Sequence, residues 1–191
     1  MGRHRTIDRE ALLDAADTVV NRAGAAHLTL EAVAVEAGIS KASVLYDYKT
    51  KRALIRAVIE RRVSTEMARV QACVASIAPA PNAEILGRLA AASRSFSDED
   101  RTVALSLCAA LAHDAGLREP IQNAYRDQID EVASRSTHPR GAMLAFLAAE
   151  GLMMMDRLGL HSWPQEERGR LLADIAWLVE QTPGPRDEPA R

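Results

Sequence analysis

Two short amphipathic segments, separated by only about three residues, occupy the stretch from Thr29 to Tyr48. In the first segment, apolar residues recur at the i, i+3, i+4 and i+7 spacing of a helix face: Leu30, Val33, Ala34 and Ala37. Thr29 is placed to cap this helix, Gly38 to end it, and Ser40 to cap the next one. A short glycine-containing link between two short helices is typical of a helix-turn-helix unit.

The rest of the chain has the same helical character. Ala, Leu, Glu and Arg dominate, the alternation of β-strands is absent, and Gly or Pro recur at intervals that would separate helices. We therefore expect an all-α fold of about nine helices. The expected helices cover residues 8–23, 29–37, 41–48, 51–77, 82–96, 98–113, 117–136, 140–160 and 165–181.

The charge distribution divides the chain unevenly. Residues 1–62 contain 11 Lys and Arg against 8 Asp and Glu, and the remainder contains 13 against 18. This asymmetry indicates an anion-binding N-terminal part and an acidic C-terminal body. We expect a helix-turn-helix domain at 1–52, a second helical domain at 53–181 joined to it by the helix that begins near 51, and a disordered Pro-rich tail at 182–191.

Several classes of protein are disfavoured. No apolar run is long enough to span a bilayer, and the N-terminus lacks the apolar stretch of a signal peptide, so we expect a cytoplasmic protein. Cys73 and Cys108 are too far apart for a C-x-x-C motif and are interpreted as reduced thiols. Because no hydrolase, zinc, P-loop or dinucleotide motif occurs, we expect neither an enzyme nor a cofactor or metal.

A helical wheel separates residues 41–48 into two faces. Val44, Leu45 and Tyr48 share the inner side, and Ala42, Ser43 and Tyr46 lie opposite. A first turn of small residues lets a helix enter the DNA major groove, where a hydroxyl or a methyl group can contact base edges. This outer face therefore indicates DNA recognition.

The start of the fourth helix places positive charge where the helix dipole is itself positive. Lys51 and Arg52 stand directly after the capping residue Thr50, and a phosphate bound there would accept from both the Lys51 ammonium and the free backbone N–H groups. Arg3 and Arg5 of the N-terminal arm can add backbone or minor-groove contacts. The complete predicted DNA-binding set is Arg3, Arg5, Thr29, Ser40, Lys41, Ala42, Ser43, Tyr46, Tyr48, Lys49 and Lys51.

The segment "TLEAVAVEAGISKASVLYDYKTKRALIRAVI", residues 29–59, resembles the DNA-binding core of the TetR family of bacterial transcriptional regulators. The likeness combines the Thr before helix two, the A-x-x-A-G-[VI]-S-K turn, the L-Y-x-[FY] end of helix three and the Lys that opens helix four. Asp47, Tyr48 and Lys49 depart from the family's commoner residues. The resemblance implies a helical ligand-sensing domain and a homodimer formed mainly by the last two helices.

Helix 140–160 is apolar almost all round, so it must be covered on two sides, one of which a partner subunit can supply. Small residues on one face allow close approach of another helix, whereas Leu144, Leu147 and Leu152 are expected to fill a core. The predicted dimer interface consists of Ala142, Ala145, Ala149, Leu171, Leu172, Ile175, Leu178 and Val179.

Ligand sensing is assigned to an adaptable, Met-rich set of side chains. The predicted pocket consists of Cys108, Leu111, Tyr125, Met143, Phe146, Leu147, Glu150 and Met154. Glu150 is a carboxylate among apolar residues and needs a partner if it is buried. Two interpretations stay open: it binds a cationic ligand group, or it forms a structural ion pair with Arg157 or Arg118.

The sequence therefore predicts a dimeric, ligand-responsive repressor that binds a palindromic operator in double-stranded DNA and is released by an unknown small-molecule effector. The alternative is a helical protein-interaction module whose basic N-terminus binds an acidic partner, without sequence-specific DNA binding.

Overall fold

The computed structural model describes residues 9–184 and confirms the all-α prediction, since these residues form nine α-helices and no strand. The helices are α1 Arg9–Ala23, α2 Leu30–Glu36, α3 Lys41–Asp47, α4 Lys51–Ile77, α5 Ala83–Ala91, α6 Asp98–His113, α7 Glu119–Arg135, α8 Pro139–Arg157 and α9 Gln165–Val179. Within residues 9–184, no helix combines the length and hydropathy that a bilayer-spanning segment needs.

Most helix boundaries fall close to those expected, and α5 differs most. It ends at Ala91, although the sequence predicted a helix to residue 96. The Ser93 hydroxyl donates to the carbonyl oxygen of Ala90 at 2.7 Å. Such a local side-chain bond competes with continuation of the helix.

Among the described residues, the first of two compact units contains those up to Thr65 together with Phe96–Asn123. Its core is built from α1, α2, α3, the first part of α4, and α6. Buried side chains in this core include Leu12, Val19, Val33, Val44, Leu54, Val58, Val103 and Leu117. The sequence placed a domain boundary near residue 52, whereas packing groups the first helices with 53–65 and 96–123.

Arginines of α4 tie this helix to α1 within the first unit. Arg61 donates to the Asp14 carboxylate at 2.7 Å and also to Asp17. Arg62 donates to the same Asp17 through Nε at 3.1 Å and Nη2 at 2.6 Å. These charge-assisted bonds fix the register of the two helices.

The second unit contains Glu66–Ser95 and the residues from Ala124 to the end of the described range at 184. In it, α5, α8 and α9 pack against one another. A Cβ atom at Gly141 of α8 would lie 2.3 Å from the carbonyl oxygens of both Leu178 and Gln181, so glycine is required for this approach of α8 to the end of α9.

A buried ion pair also joins these helices. Arg168 of α9 and Asp156 of α8 have exposed fractions of only 0% and 1%. Arg168 donates to the Asp156 carboxylate at 2.8 Å and to the carbonyl oxygen of Ala92 at 2.9 Å. The pair therefore links α8, α9 and the end of α5.

Candidate nucleic-acid interface and buried polar cluster

The three helix caps expected from the sequence are present. The hydroxyl oxygens of Thr29, Ser40 and Thr50 accept hydrogen bonds from the backbone N–H three residues later, at 3.0, 3.1 and 3.0 Å. Each cap uses the hydroxyl oxygen as an acceptor. The hydroxyl hydrogens of Thr29 and Thr50 are therefore available to donate to an anion. The Ser40 hydroxyl instead shares a hydrogen bond with the Ser43 hydroxyl, with 2.8 Å between the two oxygens.

The turn between α2 and α3 is formed as the sequence predicts. Gly38 adopts a φ of 65°, in the left-handed region that glycine enters at no steric cost. On the outer side of α3, Ala42 is exposed, Ser43 is half-buried and the Tyr46 side chain is 77% exposed. This face of α3 is available to a groove.

The inner side of α3 holds the helix on the first unit's core. Val44 is completely buried, and Tyr48 is only 6% exposed. Two predictions need correction. Leu45 lies at the edge of the inner face and is 37% exposed, and Tyr48, also predicted to bind DNA, is buried by the core contacts of its ring.

Asp47, which departs from the family pattern, lies beside the start of α1. Its carboxylate is 3.5 Å from the Arg9 Nε, and the Arg9 guanidinium lies 5.9 Å from the centroid of the Tyr48 ring. Burial raises the pKa of the Tyr48 phenol, and the charge of Arg9 partly opposes this effect. The cluster thus joins the first residue of α1 to the end of α3.

The predicted phosphate-binding lysines are exposed and have partners within the first unit. The Lys51 ammonium donates to the carbonyl oxygen of Ala26 at 2.7 Å, which ties the first residue of α4 to the segment between α1 and α2. Lys41 pairs with Glu31 at 3.2 Å, and the Lys49 ammonium lies 5.6 Å from the centroid of the Tyr46 ring. Arg3 and Arg5, also assigned to DNA binding, lie outside the described residues.

Arg52, the second cation at the start of α4, has a negative partner that the sequence did not indicate. It binds the Asp114 carboxylate through Nε at 2.5 Å and Nη2 at 3.2 Å. The hydrogen bond from Arg52 lowers the pKa of the Asp114 carboxyl. The internal salt bridge therefore accounts for Arg52, and the phosphate hypothesis applies to Lys51.

In the second unit, polar side chains from three helices form a cluster, which we define as Arg88, Tyr125, Gln128, Phe146 and Glu150. Arg88 of α5 donates to the Gln128 side-chain oxygen and to Glu150, and its guanidinium lies 4.8 Å from the Phe146 ring centroid. The Tyr125 hydroxyl donates to the other Glu150 oxygen at 2.6 Å. Burial, together with the charge and hydrogen bond of Glu150, raises the pKa of Tyr125 to about 12.

This cluster contains three of the residues predicted to line a pocket: Tyr125, Phe146 and Glu150. Sequence reasoning named Arg157 and Arg118 as ion-pair partners for Glu150 and did not name Arg88. A signal was present, because Arg88 lies on the apolar stripe of α5, three residues after Ile85.

The other predicted pocket residues lie elsewhere. Cys108 and Leu111 belong to α6 in the first unit, where Cys108 is exposed and Leu111 packs against that unit's core. Leu147 is 58% exposed, Met154 is also exposed, and Met143 is half-buried. Spacing along a helix could not show which of its faces is covered.

The structure corrects the expected dimer face. Ala142, Ala145 and Ala149 are 0% exposed within the single chain, because small residues let α8 pack closely against its own neighbours. Leu172, Ile175 and Val179 are also buried in the chain, and Leu171 and Leu178 are half-buried. Leu144 and Leu147, expected in the core, are exposed instead.

Large apolar residues of α8 are exposed at helical spacing, and α9 also exposes a large apolar side chain. We define these residues, together with the exposed Gly151 that lies between them on α8, as the outward stripe: Leu144, Leu147, Gly151, Met154 and Met155 of α8, with Trp177 of α9. Trp177 is 63% exposed. Large exposed apolar patches mark interaction sites, so the outward stripe is a candidate contact surface.

Two family models match the chain. Residues 12–58 match the model of bacterial regulatory proteins of the tetR family, and residues 86–180 match the model of the tetracyclin repressor-like C-terminal domain. None of the curated proteins matches the chain.

Solved structures of similar fold cover most of the chain. The putative transcriptional regulator SCO7518 of Streptomyces coelicolor A3(2) shares 19% identity with a TM-score of 0.72, over 91% of this chain and 98% of its own. A putative TetR-family regulator from Rhodococcus sp. shares 21% identity with a TM-score of 0.66, over 90% and 98%. The multidrug binding protein EbrR, solved with imidazole, shares 22% identity with a TM-score of 0.65, over 94% and 98%.

Proposed function

Because the chain belongs to the TetR family of bacterial transcriptional regulators, we propose that it is a repressor that binds a palindromic operator as a homodimer and leaves it when a small-molecule effector binds. The observation that carries this proposal is the outer face of α3, where Tyr46 stands exposed on a helix that caps and core contacts hold in place. A bacterial protein that binds operator DNA in this way acts in the cytoplasm.

The proposed contacts fall into two groups. Ala42, Ser43 and Tyr46 face the base edges of the major groove and determine sequence preference. Lys51 and the N-terminus of α4 bind one phosphate, and the exposed hydroxyl of Thr29 at the start of α2 can donate to another. The phosphate contacts fix the register in which α3 enters the groove.

The outward stripe is the proposed dimer contact. Two copies of α8 and α9 that meet through it bury the exposed side chains of Leu147, Met154 and Trp177 in a four-helix arrangement. A two-fold axis there gives an isologous interface. The two recognition helices then reach half-sites about 34–36 Å apart, as in other helix-turn-helix dimers.

The effector binds in the second unit according to this proposal. A similar structure, EbrR, was solved with a small molecule, imidazole, and the buried polar cluster of this chain offers directed hydrogen-bonding groups between helices. An effector shifts the equilibrium towards a spacing of the two DNA-binding heads that no longer spans both half-sites. Because α4 contributes residues to both units, it can transmit a change in the second unit to the DNA-binding helices of the first.

Fluorescence anisotropy with duplexes from around the protein's own gene tests the proposal, and footprinting then maps the bound site. We expect strong preference for one palindromic duplex over a shuffled duplex of equal length. Tyr46→Ala should change which operator variants are preferred, whereas Tyr46→Phe, which keeps the ring, should change fewer of them. Equal binding to all duplexes would refute the proposal and favour a protein-interaction module.

A further inference from the structure

Arg88 is a buried guanidinium that uses only part of its hydrogen-bonding capacity. Its side chain is 7% exposed. Nη1 donates to Gln128 and Nη2 to Glu150, whereas Nε is buried and no acceptor within residues 9–184 lies in hydrogen-bond range. An arginine carries five N–H donors, and Nε and Nη2 together form the edge that binds a carboxylate through two parallel bonds.

Two arginines of the first unit fill this edge, whereas Arg168 of the second unit also has a buried Nη2 without a partner within residues 9–184. Arg52 binds Asp114 through both Nε and Nη2, and Arg62 uses the same two atoms on Asp17. Both are more exposed than Arg88. Arg88 therefore has less access to water than Arg52 and Arg62, and it is the one of the three whose Nε lacks an acceptor among the described residues. An unsatisfied buried donor is costly, and a group retained in this state needs an explanation.

Tyr125 shares the Glu150 carboxylate with Arg88. Its hydroxyl donates to Glu150 Oε2 at 2.6 Å and Arg88 Nη2 donates to Oε1, so the carboxylate meets Arg88 through one oxygen and one donor instead of two parallel bonds. Gln128 accepts from Arg88 Nη1, and its side-chain amide donates to the Met67 sulfur at 3.0 Å, a weak acceptor. Within residues 9–184, the Nε donor of Arg88 is the atom of this cluster that is left without a partner.

We propose that the effector carries a carboxylate on an apolar body, and that this carboxylate binds the Nε and Nη2 edge of Arg88 in place of Glu150. The proposal rests on the proposed function, of which it defines the ligand class. The side chains of Phe146, Tyr125 and Met67 provide aromatic and apolar surface for the body of the molecule.

A cationic effector is the less favourable choice. The carboxylate of Glu150 and the face of Phe146 already hold the chain's own guanidinium. A free cation would have to replace Arg88, which is covalently held at high effective concentration. A carboxylate instead replaces Glu150, which is 14% exposed and keeps its bond from Tyr125 as it turns away.

The exchange has a structural consequence within the second unit. The Arg88–Glu150 bond joins α5 to α8, and a ligand that takes over Arg88 breaks this link. Because α5 and α8 pack against each other, their relative positions are then set by the ligand instead of by the ion pair. Effector binding thereby selects a different packing of these helices.

The test is carboxylate binding by the full chain without DNA, measured by calorimetry and thermal shift at constant ionic strength. The probes are phenylacetate and octanoate, each compared with its neutral amide, and phenethylamine as the cation. We expect the carboxylates to bind and raise Tm, and the amides and the amine to bind at least about tenfold more weakly, because they lose the charge-assisted pair.

Three variants assign the effect. Arg88→Gln should weaken carboxylate binding about 10- to 100-fold. Tyr125→Phe should weaken it about fivefold without removing Arg88, because Glu150 is then free to occupy both donors of the edge. Arg52→Gln, which removes an arginine whose edge is filled by Asp114, should leave carboxylate binding unchanged.

The inference is overturned if neither carboxylate binds, if an amide or the amine binds as tightly, or if folded Tyr125→Phe and Arg88→Gln both bind like wild type. Operator binding is measured separately by anisotropy. If the chain binds an operator but only a ligand without a carboxylate releases it, the proposed function is supported and the proposed ligand class is wrong. If carboxylates bind through Arg88 but no operator is found, the proposed ligand site is supported and the proposed function is wrong.

Discussion

Replacing Lys51 by alanine tests the proposed phosphate contact at the start of α4. In the free protein the Lys51 ammonium donates to the carbonyl oxygen of Ala26 at 2.7 Å, and both residues are exposed. Water can therefore replace the lost donor, and the substitution should change folding stability little. The effect on DNA binding should come from the loss of one cation for each protomer.

The expected magnitude follows from counterion release. Each phosphate contact contributes about 0.9 to the slope of log K against log salt concentration, so a dimer that loses two contacts should lose about 1.8 from its slope. Over the fourfold range from about 50 to 200 mM salt, the affinity ratio of wild type to Lys51→Ala should then fall about tenfold. Operator and shuffled duplex should be weakened by similar factors.

The assay is a salt series of anisotropy titrations on both duplexes. Arg22→Ala serves as a matched control, because it removes one exposed cation of the first unit that pairs with Glu36 at 2.9 Å and is not among the proposed DNA contacts. Its slope should equal that of wild type. An unchanged slope for Lys51→Ala, or a change in operator preference alone, would show that Lys51 does not bind a phosphate.

Three further predictions concern the second unit. Trp177→Asp should shift the protein from dimer to monomer in sedimentation equilibrium, because it places a charge in the outward stripe. If the variant dimerises as strongly as wild type, the proposed interface is wrong. Asp156→Ala should lower the free energy of unfolding by about 3–5 kcal/mol, because it leaves Arg168 buried without its carboxylate. The measurement is a urea titration at fixed protein concentration. The double variant Asp156→Leu with Arg168→Met should lower the free energy of unfolding less, because it removes both charges. Burial and Glu150 raise the Tyr125 pKa from its ordinary value of 10.0 to about 12. Because the folded state holds this proton more tightly than the unfolded state, the free energy of unfolding carries a contribution of about 2–3 kcal/mol below pH 10, which is lost as the pH rises through about 12. Glu150→Gln should lower that pKa, as read from phenolate absorbance, and an unchanged titration would contradict the contact.

The sequence predicted the helix-turn-helix unit well because its determinants are local. The caps at Thr29, Ser40 and Thr50 each act on a backbone group three residues away, and Gly38 fixes the turn through its own φ angle. The exposure of Tyr46 follows from the same short-range periodicity. None of these features depends on a contact with a distant part of the chain.

The faces of α8 were not predictable in this way. Helix 140–160 is apolar almost all round, so periodicity could not distinguish the side that packs inside the chain from the side that is left outside. The alanines were assigned to a partner because small residues allow close helix approach. That physical argument was sound, but the close neighbours are helices of the same chain, as the required glycine at 141 shows.

Arg52 and Arg88 show why the candidate ligand site could be predicted only in part. Each pairs with a carboxylate 62 positions later in the sequence, a separation at which no local pattern identifies a partner. Asp114 gives both of its oxygens to Arg52, whereas Glu150 divides its oxygens between Arg88 and Tyr125. The sequence left two interpretations of Glu150 open, a cationic ligand or a structural ion pair. The structure shows that the chain supplies the cation itself, through Arg88, and that this arginine keeps a buried donor without a partner within residues 9–184.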